Sequence, residues 1–193
     1  MPRPMRVDFS GAWHHVMNRG ADRRNIFEHE VDHEIFLDAL AATRDRSNIE
    51  VHAYCLMTNH YHLLVRSMDG RLAAGMQFLS GRFTRMTNQR VGRDGPLFRG
   101  RYASVSIDSD AQLVQTCRYI HLNPVVAGLV LRPEAWRWSS AAAYAGSDRS
   151  RPWLQTELVL DLFGPGDRLA AYRDFMAAGA DQRTVDFYRG IGW

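Results

Sequence analysis

The sequence predicts one α+β domain. Three observations carry that prediction: apolar residues alternate in short runs, they recur at helical spacing in longer ones, and the runs interleave as strand, helix, strand pair, helix, strand, helix. A chain of 193 residues with 46% hydrophobic side chains can build one substantial core with a small appendage.

The first strand is residues 11–18, preceded by an aperiodic Pro-Arg arm and broken by the polar run 19–24. His14 and His15 in it read as ordinary strand residues, one buried and one not. A helix over residues 30–44 follows, with Val31, Ile35, Phe36, Ala39, Leu40 and Thr43 on one side and His33, Glu34, Asp38 and Asp45 on the other. Next comes a hairpin of residues 51–57 and 60–65, turned by Thr58-Asn59. Alternation puts His60 and His62 on one face and Tyr61 on the other, at a sheet rim that a ligand can reach. Such a pair is half a metal site or an ordinary hydrogen-bonded pair, and spacing alone leaves both readings open.

Residues 71–90 form a second amphipathic helix: Leu72, Met76, Leu79, Phe83 and Met86 make its apolar stripe, while Arg82, Arg85 and Gln89 lie off it. A Gly-Pro loop leads to Leu97-Phe98-Arg99-Gly100-Arg101-Tyr102 and the alternating strand 103–107. Ser109 and Gln112 stand in capping-box spacing before a third helix over residues 111–122, which Asn123-Pro124 is expected to stop. Tyr119 and Asn123 are four residues apart and share a helix face, whereas His121 turns roughly 200° from Tyr119. A tyrosine there is by default a half-buried packing residue. The aromatic segment 133–140 closes the core. A linker at 146–152 and two short helices, 156–163 and 167–177, then fold back through Leu158, Leu162, Leu169 and Tyr172. The chain divides accordingly into residues 1–145 and a linker with helical extension, 146–193.

Every one of the 24 basic residues is arginine, and their placement is uneven. Residues 1–70 carry 8 arginines against 10 acids, residues 71–132 carry 9 against 3, and residues 133–193 carry 7 against 8. The basic middle third is either a solvated helix face or the seat of a polyanion. Arg93, Arg99 and Arg101 interleaved with Phe98 and Tyr102 suit single-stranded nucleic acid, whose phosphates meet guanidinium and whose bases stack on rings. No apolar run spans a membrane and no signal-peptide core is present, so a soluble cytoplasmic protein without membrane partner is expected. The two cysteines, Cys55 and Cys117, read as core.

Residues 54–65 (YCLMTNHYHLLV), 97–102 (LFRGRY), 118–130 (RYIHLNPVVAGLV) and 138–140 (WSS), in that order and spacing, resemble the single-tyrosine HUH transposases. The repeat-associated branch is the closer match, since Arg3 to Arg6 and 14–20 also resemble its N-terminal pattern; the resemblance covers about residues 2–145. It implies a ferredoxin-like antiparallel sheet with helices on one face. It also implies that His60 and His62 bind a divalent magnesium or manganese, that Asn123 completes the metal site, and that Tyr119 is the nucleophile. The substrate implied is single-stranded, hairpin-forming DNA from repetitive extragenic palindromes rather than a small molecule, cut and rejoined through a 5′-phosphotyrosine intermediate. Arg82, Arg85, Arg99 and Arg101 are the candidates for phosphate contact, with Arg3, Arg6 and Arg19 helping to read flanking bases. Thr58 departs from the family, where proline is common in the hairpin tip, and Thr-Asn turns equally well. Related enzymes occur as dimers or monomers, so monomer and homodimer both stay open. Two other readings compete: a catalytically silent module that holds or represses DNA hairpins, and a zinc hydrolase, which lacks a third ligand at recognisable spacing.

Overall fold

The computed structural model describes residues 7–146, 151–179 and 182–190. Its elements are β1 (Ala12–Arg19), α1 (Glu30–Ser47), β2 (Ile49–Leu56), β3 (His60–Ser67), α2 (Leu72–Val91), β4 (Ala103–Ile107) and α3 (Asp110–Val126), followed by α4 (Ala141–Tyr144), α5 (Glu157–Leu160), α6 (Arg168–Ala177) and α7 (Gln182–Gly190). The strands form one antiparallel sheet in the order β2-β3-β1-β4, the ferredoxin-like arrangement expected.

Alternation sorts this sheet into two differently covered faces. Val16, Val51, Tyr61, Leu63 and Val65 pack against Phe36 and Leu40 of α1 and Met76, Leu79 and Phe83 of α2. Ala53, Cys55 and Leu64 point the other way, onto Leu113, Cys117 and Ile120 of α3, where Val159, Leu160, Tyr172 and Met176 of the C-terminal segment join them. In one detail the expectation is corrected. Helices α1 and α2 share one face as foreseen, but α3 and the extension cover the other, because β3 is apolar on both sides and a sheet buried twice needs two layers.

Helix α3 is also longer than foreseen, with Pro124 inside it. A proline removes a single i→i−4 bond, and here that loss falls in the last turn, where Ala127 N–H still reaches Asn123 O and Leu129 N–H reaches Pro124 O, both at 2.9 Å. Asn123 therefore keeps helical geometry beneath Tyr119. On α1 the buried stripe is rotated from the expected one: Val31 is exposed, and His33 is buried, stacked between Phe27 and Trp138 with ring centroids 4.7 and 4.2 Å away.

The β2–β3 hairpin tip is fastened to the connection after β1. Thr58 O accepts the N–H groups of Ile26 and Phe27 at 3.0 Å, and Asn59 O accepts that of Gly20 at 2.9 Å. Only glycine fits at position 20, since a Cβ there would lie 2.2 Å from the Arg24 carbonyl oxygen. The open edge of β2 is covered as well: Leu56 N–H bonds Trp138 O, Ser140 N–H bonds Tyr54 O, and Gln155 N–H bonds Val51 O.

Candidate active site

Strand register builds the floor of the site. His60 is the first residue of β3 and pairs across to Arg19, the last of β1; His62 pairs with Met17, and His15 with Leu64. His15 and His62 are thus diagonal neighbours on one face, close enough for ring contact, and His15 Nε2 lies 3.0 Å from His62 Nδ1. The His60 and His62 rings stand edge to face with centroids 5.0 Å apart. Tyr61 points through the sheet to Phe36, as alternation requires.

Helix α3 supplies the roof. Tyr119 stands over the pair, its ring centroid 5.5 Å from that of His62 and 5.7 Å from that of His15. Asn123, one turn on, donates from Nδ2 to the Tyr119 carbonyl at 2.8 Å. Helix α7 closes the far side: Tyr188 packs 4.6 Å from Tyr119 and 4.4 Å from His15, and its hydroxyl lies 2.7 Å from Thr116 Oγ1. His121 faces away to Ser140 and Tyr172, at 2.7 and 2.8 Å, and is part of the packing.

Burial sets the protonation states. It pushes His15 down to about 3. It pushes His60 down to about 4, with the nearby Arg19 guanidinium adding to the effect. His62 is held well below the ordinary histidine range by burial, then by His60 and His15. All three imidazoles are neutral at pH 7. Burial raises Tyr119 above the ordinary tyrosine value, while a hydrogen bond from Asn123 and the charge of Arg189 pull it back. The phenol therefore keeps its proton at neutral pH until something positive or basic approaches.

A divalent metal fits this donor set in two respects. Metal-bound histidines are neutral and use their second ring nitrogen for a hydrogen bond. Here His60 Nδ1 is held by Asn59 Oδ1 at 2.7 Å and His62 Nδ1 by His15, so both rings would meet a cation through Nε2. Among the described residues no three His, Cys, Asp or Glu side chains are placed to hold one metal ion. An oxygen-rich remainder left to water and phosphate suits magnesium or manganese better than a closed zinc site.

The arginines divide. Arg19 borders His60, and desolvation, then the charges of Arg99 and Arg23, hold its pKa below the ordinary arginine value. Arg99 N–H also bonds the Arg19 carbonyl at 3.0 Å, and Arg99 and Arg101 are exposed in the loop before β4. Arg82 and Arg85 sit on α2, across the sheet from Tyr119, so they are not gathered at this pocket. Arg3 and Arg6 lie outside the described residues.

Two residues of the site carried no signal that singled them out. Both histidines of β1 are buried, contrary to expectation, and His15 belongs to the pocket. Adjacent strand residues face opposite sides, so one of the two had to share the face of His62, but only the register names His15. Tyr188 comes from a helix past the expected end of regular structure, where Val185 and Tyr188 are the only buried residues.

Tyr119 on its helix thus stands above a histidine pair, on a sheet of this order and beside a basic rim, and comparison with known proteins gives this arrangement a family. Residues 8–123 match the family model described as transposase IS200 like, and the chain belongs to that family. It is 28% identical over 116 residues to a candidate REP-associated tyrosine transposase of Haemophilus influenzae, a stretch covering 54% of this chain and 66% of that protein, so the chain spans just under two thirds of the relative's length. It also superposes, with a TM-score of 0.65 and 16% identity, on a solved REP-associated tyrosine transposase bound to a REP hairpin, over 80% of this chain and 92% of that one. The repeat-associated branch read from the motifs is thus the one these comparisons reach. Among the described residues no helix is long and apolar enough to cross a membrane.

Proposed function

We propose that this chain cleaves and rejoins single-stranded hairpin DNA of the repetitive extragenic palindrome type, acting in the cytoplasm, with Tyr119 as nucleophile. The observation that carries the reading is the position of Tyr119 over His62 on the same sheet face as His60, with ring centroids 5.5 Å apart, in a pocket rimmed by Arg19 and Arg99. The Tyr119 hydroxyl oxygen attacks phosphorus in line; the bond from phosphorus to the 3′ oxygen breaks, the phenolic proton is lost to solvent, and the leaving oxygen takes up a proton as a 3′-hydroxyl. The 5′-phosphotyrosine retains the energy of the broken bond, so a second 3′-hydroxyl can reverse the step without ATP. A magnesium or manganese ion held by His60, His62 and Asn123 would supply the positive charge that lowers the cost of both the tyrosinate and the pentavalent phosphate. Arg19, Arg99 and Arg101 hold the incoming backbone, which makes affinity salt-dependent. The solved neighbour's REP hairpin supports the choice of substrate.

The second reading, a silent hairpin-binding module, shares the basic rim and differs only in chemistry. A denaturing gel with end-labelled hairpin DNA and Mg²⁺ or Mn²⁺ separates them. Expected is a protein-linked DNA band for the wild type that is absent from Tyr119→Phe and from His60→Ala. Hairpin binding by the wild type without any adduct under either metal would establish the binding module instead.

A further inference from the structure

Asn59 sits at the tip of the β2–β3 hairpin, between the strained turn after β1 and the first histidine of the pair. Its amide has two ends and each is committed. Nδ2 donates to the Arg23 carbonyl at 3.0 Å, which orients the amide; Oδ1 then faces His60 Nδ1 at 2.7 Å. A carboxamide oxygen only accepts, so the ring nitrogen it meets must carry the proton. The turn that offers the Arg23 carbonyl is costly: Asp22 and Arg23 are both left-handed, at φ 52° and 58°, a region non-glycine residues rarely occupy. It is held by Gly20 N–H to Asn59 O at 2.9 Å and by Ala21 N–H to Leu97 O at 3.0 Å.

We propose that Asn59 is a positioning residue that locks the His60 ring as its Nδ1–H tautomer, so that the Nε2 lone pair is the face His60 offers to the reacting phosphate and its cation. The hydrogen bonds alone carry the tautomer assignment; the use made of Nε2 rests on the function proposed above. Without Asn59 the neutral ring is free to protonate on Nε2, which turns a lone pair into a donor and removes His60 as a ligand. Asn59→Asp keeps the acceptor for Nδ1–H while losing the bond to Arg23. Asn59→Ala loses both.

The test is long-range ¹H–¹⁵N NMR of the full chain labelled with ¹⁵N-histidine, recorded without metal or DNA, followed by Mn²⁺ titration of the same samples. The wild type and Asn59→Asp are expected to show His60 protonated at Nδ1, and Asn59→Ala to show Nε2–H or a mixture. The Mn²⁺ concentration that broadens the His60 signals should rise about 10–100-fold in Asn59→Ala and stay within a few-fold of wild type in Asn59→Asp. A wild-type His60 protonated at Nε2, or an Asn59→Ala protein with unchanged tautomer and Mn²⁺ response, overturns the proposal. Nδ1–H in the wild type with no Mn²⁺ effect at His60 supports the tautomer lock and removes the metal from the proposed function. Unchanged signals from the remaining histidines in Asn59→Ala separate this effect from loss of the fold.

Discussion

His15 does for His62 what no sequence motif announces: its Nε2 meets His62 Nδ1 on the sheet face, and its ring packs edge to face against Tyr188 with centroids 4.4 Å apart. For His62 to present a lone pair at Nε2, its Nδ1 must donate, and His15 is the acceptor. His15→Phe keeps most of the volume and removes that acceptor. Activity in the adduct assay should fall about 10–100-fold while the fold survives, as for other partners behind a ligand. Thermal melting and the gel measured on one preparation check both halves of that expectation. Tyr188 adds a second, purely energetic prediction. Tyr188→Phe leaves the stacking on Tyr119 and deletes the 2.7 Å bond to Thr116. Urea unfolding should register a loss of about 1 kcal/mol, and no loss would mean the hydroxyl is equally well served by water.

At the scale of elements, the site depends on connections more than on strands. The run 20–24 ties β1 to the hairpin tip, and Gly20 is where it has no room: a Cβ would stand 2.2 Å from the Arg24 carbonyl oxygen and 2.9 Å from Ile26 Cγ2. The nearer atom is backbone and cannot swing aside, so Gly20→Ala should cost about 1–3 kcal/mol and displace the Arg23 carbonyl from Asn59. Chemical denaturation and the His60 tautomer read those two effects separately. Helix α2 has a comparable dependence on a distant residue. Its own first turn lacks a capping side chain, and Asp8 Oδ2 accepts the Leu72 N–H at 2.8 Å instead. Both devices join residues far apart in the chain, so local spacing revealed the strands and helices they serve but not the ties themselves.

The whole molecule buries a sheet on both faces, and several histidines are buried with it. Burial is the main force holding His121 at about 3 and His52 at about 4, although Glu50 partly offsets the second. The unfolded chain takes up protons as pH falls below about 6.5, and the folded chain refuses them until pH nears those depressed values. Stability is therefore full above pH 6.5 and is lost as pH falls toward 4. Each such histidine contributes on the order of 1–2 kcal/mol of loss between pH 7 and pH 5. Urea midpoints at the two pH values measure it, and His121→Gln should flatten the dependence by about one proton. Equal midpoints for the wild type at both pH values would show that these imidazoles are not held neutral. The basic rim acts at the same scale: Arg99→Ala and Arg101→Ala should each lower the salt slope of hairpin binding by about 1, whatever the hairpin sequence.

The sequence by itself determined the alternation that puts His60 and His62 on one face, the helical spacing that joins Tyr119 to Asn123, the strand and helix order of the α+β sheet, and the motifs that identified the family. These depend on periods of two and of 3.6 residues, or on contiguous residues, and such patterns are readable without a third dimension. The tertiary structure decided what depends on register and on docking: that His15 rather than His14 backs His62, that α3 lies on the face opposite α1 and α2, and that α7 brings Tyr188 against Tyr119. A one-residue slip of β1 would exchange the two histidines, and a different docking of α3 would leave Tyr119 a surface residue, without changing a letter of the sequence.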